Sequence, residues 1–190
     1  MWHGNKKAGL RSRGREAAEQ LTAEGRAAAS RAIREAVLAL PAYQAARTVF
    51  IYVSMPQEPD TLPLIDRALR DGKRVCVPRC GEKPRMDAVL IRSRAELRPG
   101  ALGIPEPPGS APAAAPSEIE LALVPCVAAG RDGSRLGRGA GYYDAFLAGQ
   151  DIKKVCLCFE GLLADDIPMT EADVLMDAVV TERAVYAISL

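Results

Sequence analysis

The chain has 190 residues, 48% of them apolar and 26% charged, with a net charge of +1. This length suits a single domain over residues 1–190 with a substantial core, and a near-neutral balance offers no global field for nucleic acid. No apolar run approaches the roughly 18 residues of a membrane span, and no secretory apolar segment follows Met1, so a cytoplasmic protein without a membrane partner is expected.

Asn5 to Gln20 reads as a helix rich in Lys and Arg. Gly9 and Gly14 lower its helix propensity by about 1 kcal/mol each relative to Ala. Met1 to Arg34 carries eight Lys or Arg against three Glu, most simply a solvated helix face. A transit peptide is the weaker reading, because Glu16, Glu19 and Glu24 argue against it. Thr22 can cap a second helix that runs to Leu40 and stops at Pro41, with Ile33, Val37 and Leu40 on one face.

Arg47 to Ser54 is a β-rich run and reads as a buried strand. A loop follows from Met55 to Asp60, then a helix starting at Asp60 or Thr61 and stopped by Gly72. Lys73 to Pro78 and Met86 to Ile91 are the next strands. Pro99 to Pro116, rich in Pro, Ala and Gly, reads as an irregular surface connection in which 102–105 could tuck against the core. Glu118 to Val127 is a strand that enters a glycine-rich loop. Gly141 to Leu147 is a helix stopped by Gly149. Lys153 to Phe159, Val179 to Thr181 and Val185 to Ile188 complete the strands. Such alternation predicts an open, mainly parallel α/β sheet with helices on both faces. In that fold, ligands sit at the carboxyl ends of strands, where the loops at 54–60 and 128–141 both lie.

The five cysteines (Cys76, Cys80, Cys126, Cys156 and Cys158) show no C-x-x-C spacing and suit reduced thiols. The one histidine is His3, which leaves little room for Ser-His or Cys-His catalysis or for a His-ligated metal. Chemistry must then rest on Lys, Arg, Asp, Glu and Tyr, with a hard metal ion as a possible helper.

The stretch from Leu123 to Leu147 carries the most information. Glycines let backbone approach a ligand, arginines neutralise phosphate, and the next helix offers free N–H groups. Gly137-Arg138-Gly139-Ala140-Gly141 is neither a Walker A loop nor a G-x-G-x-x-G fingerprint. Arg135, Arg138 and Asp144 suit a phosphate–magnesium assembly, although Asp144 could equally serve the helix dipole. Lys7 and Arg11 share a helix face and could join the phosphate site, or be ordinary surface charge. Tyr142 and Tyr143 are core aromatics or a stacking surface. Glu58 sits in a loop at the ligand-facing edge. Asp173 and Asp177 are surface caps or further metal carboxylates.

Arg135 to Asp144, RLGRGAGYYD, resembles the signature of the 5-formyltetrahydrofolate cyclo-ligase family. Lys7 to Arg11 resembles that family's N-terminal ATP-binding segment, and Tyr52 to Thr61 its folate loop. Gly103 to Pro107 and Asp173 to Glu182 also fit, in the family's order. The resemblance implies a three-layer fold shared with ribose-phosphate isomerase and CoA-transferase domains. It implies ATP- and Mg²⁺-dependent cyclisation of 5-formyltetrahydrofolate to 5,10-methenyltetrahydrofolate, with ADP and phosphate released. It places ATP phosphates on Lys7, Arg11, Arg135, Leu136, Gly137, Arg138, Gly139, Ala140, Gly141, Tyr142 and Tyr143. Arg138 would be catalytic, Asp144 and Asp173 would bind the metal, and Val53, Met55, Glu58 and Tyr142 would hold the folate. Small-molecule partners and a monomer are expected.

The chain departs from the family pattern at three places. Pro125 to Gly130 lacks the usual aromatic and Asp, Leu102 replaces an aromatic, and Ala172 replaces a His. An ATP-dependent paralogue with another pterin or amide-like substrate, a non-catalytic folate binder, and a sugar-phosphate isomerase are the competing readings. The intact phosphate and metal residues argue against the last two.

Overall fold

A computed structural model describes residues 2–100 and 103–190. Leu102 lies outside the described residues, as does the side chain of His3. In chain order, helices α1 (Trp2–Gln20), α2 (Ala23–Ala39) and α3 (Pro41–Ala45) precede β1 (Thr48–Ile51), α4 (Leu62–Arg70), β2 (Arg74–Cys80) and β3 (Met86–Ile91). Short strands β4 (Arg98–Pro99), β5 (Pro105–Glu106) and β6 (Ala113–Ala114) cross the proline-rich region. Then come β7 (Leu121–Pro125), the hairpin β8 (Ala128–Ala129) and β9 (Arg135–Leu136), and α5 (Tyr142–Leu147). The chain closes with β10 (Lys153–Leu157), β11 (Ala178–Val180) and β12 (Val185–Ala187).

The main sheet runs β12-β11-β10-β7-β1-β2-β3-β6. The five strands from β11 to β2 are parallel, and β12, β3 and β6 add antiparallel edges. β1 is buried at every position, as expected of a strand covered on both faces. From the centre, β1 steps through α4 to β2, while β7 steps through α5 to β10 on the other side. Right-handed crossovers in opposite directions put α4 and α5 on opposite faces. The loops after β1 and β7 therefore part at a topological switch point, where a crevice opens.

Thr22 caps α2, its hydroxyl oxygen accepting from Gly25 N at 3.0 Å. Pro41 ends that helix but also opens the one-turn α3, since proline's fixed φ and missing N–H suit a first turn. The connection at 99–116 is less irregular than expected, with β4 and β5 forming a hairpin and β6 joining the sheet edge. Within the glycine-rich segment, β8 pairs antiparallel with β9 before the loop proper begins. Gly14 is a close-approach residue, because a Cβ there would lie 2.5 Å from Val127 O.

Candidate active site

A cavity of about 250 Å³ opens at the switch point. Its walls include Lys7, Arg11, Val53, Met55, Glu58, the whole run from Arg135 to Asp144, and Asp173. Every residue that the family resemblance assigns to the site thus lines one cavity, although the assignments came from four separate segments.

The loop after β1 is held by its own side chains. Thr61 Oγ1 donates to Tyr52 O at 2.6 Å and accepts from Ser54 N at 3.2 Å. Tyr52 OH donates to Pro59 O at 2.8 Å, and Asp60 Oδ1 accepts from Leu62 N at the start of α4. These bonds fix the segment that presents Met55 and Glu58. Glu58 Oε2 accepts from Met55 N at 2.9 Å, and Oε1 accepts from Arg138 Nη2 at 3.1 Å. Burial pushes the Glu58 carboxyl above its ordinary pKa, against the opposing pull of Met55 N–H and Arg138.

The glycine-rich loop is anchored from α1. Arg11 Nε donates to Gly137 O at 2.9 Å, tying the helix to the loop. Gly139 has φ +97° and Gly141 φ +75°, conformations that favour glycine. A Cβ on Gly139 would also sit 3.3 Å from the Arg11 guanidinium carbon. Lys7 Nζ donates to Asp173 Oδ2 at 2.5 Å, and Thr170 N donates to the same oxygen at 2.7 Å. Burial alone would raise the Asp173 pKa, but Lys7 and Thr170 outweigh it and hold it below the ordinary value.

Arg135 lies on the floor, its side chain 3% exposed. Nη2 donates to Asp144 Oδ2 at 2.9 Å and Nη1 to Pro125 O at 3.2 Å, while the buried Nε has no hydrogen-bond partner among the described residues. Asp144 Oδ1 accepts from Val174 N at 3.2 Å, so α5 and the segment bearing Asp173 are joined at this carboxylate. Tyr143 packs on Phe50 with ring centroids 6.2 Å apart, and burial raises its hydroxyl pKa well above the ordinary value. Tyr142 OH donates to Gly81 O at 3.2 Å.

The cavity has further lining residues that sequence reasoning passed over: Tyr52, Pro78, Cys80, Met86, Ile104, Glu106, Pro125 and Cys126. Ile104 and Glu106 fall inside the Gly103 to Pro107 motif, which was the available signal. Glu106 Oε1 accepts from Cys80 N at 3.3 Å. Asp177 is not on the cavity wall. It holds Lys154 N at 2.7 Å and Ser189 Oγ at 2.6 Å, the tethering role of a structural carboxylate. Of the departures from the family pattern, the run Pro125 to Gly130 reaches the wall through Pro125 and Cys126, with Ala129 fully buried in β8, whereas Ala172 is exposed and off the wall.

One end of the cavity is therefore cationic and glycine-lined, and the other is apolar with carboxylate acceptors. Among the described residues, no group of three or more His, Cys, Asp or Glu side chains is placed to hold a metal ion. Asp144 and Asp173 both line the cavity, and each is ion-paired, Asp144 with Arg135 and Asp173 with Lys7. No helix among the described residues is long and apolar enough to cross a membrane.

The sequence matches the family model described as the 5-formyltetrahydrofolate cyclo-ligase family over residues 3–182. It is 37% identical to the 5-formyltetrahydrofolate cyclo-ligase of Mycolicibacterium smegmatis over 148 residues, covering 72% of this chain and 74% of that protein. It is 31% identical to the mouse protein of that name, covering 93% of each. The fold matches 5,10-methenyltetrahydrofolate synthetase of Aquifex aeolicus with a TM-score of 0.85 and 28% identity, covering 96% of this chain and 92% of that one.

Proposed function

The chain belongs to the 5-formyltetrahydrofolate cyclo-ligase family, whose members are ligases, and we propose that it converts 5-formyltetrahydrofolate to 5,10-methenyltetrahydrofolate with ATP as co-substrate. The observation that carries this reading is the convergence on one cavity of a cationic glycine loop and an apolar pocket with a carboxylate acceptor.

An N-formyl amide is a poor electrophile. Transfer of the ATP γ-phosphoryl group to the formyl oxygen turns that oxygen into a leaving group. N10 of the folate then attacks the formyl carbon, the C–O bond breaks, and phosphate departs as the ring closes. Such chemistry depends on positioning and charge stabilisation rather than on a protein nucleophile.

In this reading, Lys7, Arg11 and the run from Arg135 to Tyr143 hold the triphosphate. Arg138 steadies charge on the transferring phosphoryl group. Asp144 and Asp173 hold Mg²⁺ together with the nucleotide, and that ion, when bound, neutralises phosphate charge. Glu58 accepts hydrogen bonds from the donor edge of the pterin, since an ionised carboxylate only accepts. Val53, Met55 and Tyr142 line the same pocket.

The test mixes purified protein with 5-formyltetrahydrofolate, ATP and Mg²⁺ and follows the near-ultraviolet absorbance of the methenyl product. A rise that needs all three components supports the reading. No rise, from folded protein that binds ATP, would assign the chain a different substrate.

A further inference from the structure

Glu58 and Arg138, assigned above to different substrates, are bonded to each other. Arg138 donates to Glu58 Oε1 from Nε at 3.3 Å and from Nη2 at 3.1 Å. The residues are 80 apart in sequence and come from the loops after β1 and after β7–β9, which face each other across the crevice. Their surroundings differ sharply. The Glu58 side chain is 8% exposed and the Arg138 side chain 45%.

We propose that this ion pair couples the two substrate sites, with Glu58 acting as a positioning residue that holds Arg138 away from nucleotide until a pterin takes its place. The proposal rests on the reading above of which substrate each residue meets.

The asymmetry in burial sets the direction. If nucleotide phosphate draws Arg138 away first, the buried Glu58 carboxylate is left without its cation, which is costly. If pterin donors bind Glu58 first, they compensate that carboxylate, and the released Arg138 reaches water at small cost. The raised pKa of Glu58 agrees with a carboxylate that is poorly solvated even when paired. Folate should therefore tighten nucleotide binding, and by linkage nucleotide should tighten folate binding by the same factor.

Glu106 supplies an internal control. It is a second carboxylate on the cavity wall, and it makes no ion pair among the described residues. Removing either acidic charge would favour an anionic nucleotide through the general field, but only Glu58 is bonded to Arg138.

The experiment measures the Kd of a non-hydrolysable ATP analogue with Mg²⁺ by calorimetry, with and without saturating 5-formyltetrahydrofolate. It compares the unsubstituted enzyme with Glu58→Gln and Glu106→Gln. The expected result is a folate-induced gain of about fivefold or more in the unsubstituted enzyme. Glu106→Gln should keep that gain. Glu58→Gln should bind the analogue more tightly without folate and lose most of the gain. Equal Kd values with and without folate in the unsubstituted enzyme would overturn the coupling. Equal tightening by both substitutions, with the gain intact in each, would assign the effect to the general field and also overturn it. Failure of the analogue to bind under any condition would remove the substrate assignment as well. The absorbance assay distinguishes these cases, since an active enzyme without coupling loses only this inference.

Discussion

Arg135 and Asp144 meet at 2.9 Å, the arginine almost wholly enclosed and the carboxylate on the cavity wall. A residue proposed to hold metal is thus also the counter-charge of a buried guanidinium. Asp144→Ala is expected to lower folding stability by about 3 kcal/mol, because it strands the buried guanidinium without its counter-charge. Urea denaturation followed by fluorescence measures this. An unchanged midpoint would show that the pair contributes nothing to the fold.

Arg138→Ala is expected to reduce kcat by roughly 10³-fold, the scale seen for arginines that stabilise phosphoryl transfer. Far-ultraviolet circular dichroism should be unaltered, since nearly half of this side chain faces solvent. Turnover close to that of the unsubstituted enzyme would remove Arg138 from the catalytic role.

Gly139→Ala must place a Cβ at φ +97° and 3.3 Å from the Arg11 guanidinium. Strain of about 1–3 kcal/mol in the loop should raise the KM for ATP roughly tenfold. The KM for folate should stay within about twofold, which is roughly 0.4 kcal/mol. Equal increases in both constants would mean that the loop serves the whole cavity and not the nucleotide end alone.

The two glycines of α1 should respond in opposite directions. Gly9 faces open space, so Gly9→Ala should stabilise the protein by up to about 1 kcal/mol through helix propensity. At Gly14 the same change drives a Cβ to 2.5 Å from Val127 O and should lower the melting temperature. Two upward shifts would show that α1 can move away from the β8 hairpin at little cost.

Thiol chemistry should report both burial and ligand binding. Four cysteines are buried and Cys80 alone is partly exposed, on the cavity wall. An aromatic disulfide reagent should label Cys80 in native protein, and ATP with folate should slow that reaction. Burial pushes the Cys76 thiol up to about 12. Since the folded pKa is raised, its contribution is intact below the ordinary thiol value and is lost as pH rises towards the folded one. Stability should therefore fall from about pH 9 upward. Cys76→Ala should flatten that slope, and an identical slope in the variant would exclude Cys76 as its source.

The parts of this molecule legible in the sequence are those whose signal is short-range. Thr22 caps its helix, β3 has the bounds expected, and the glycine loop, which stands out by composition, lines the cavity. The pairings were not legible. Arg138 finds Glu58 from 80 residues away, and Arg135, in a strand of two residues, finds Asp144 across the glycine loop. Glu106 and Ile104 were visible only as part of a motif. Their place on the wall comes from the β4–β5 hairpin, and Cys80 and Met86 reach it from the ends of β2 and β3.

Lys7 reaches Asp173 across 166 positions of sequence, and Arg11 reaches Gly137 across 126. During synthesis, α1 leaves the ribosome long before either partner exists. Until Gly137 and Asp173 have been made, Lys7 and Arg11 lack the partners that hold them in the folded domain. The part of the cavity wall that Lys7 and Arg11 share with Gly137 and Asp173 is therefore built from segments far apart in the chain. On the proposed assignment, a nascent chain gains its full grip on nucleotide only after Asp173 has been made.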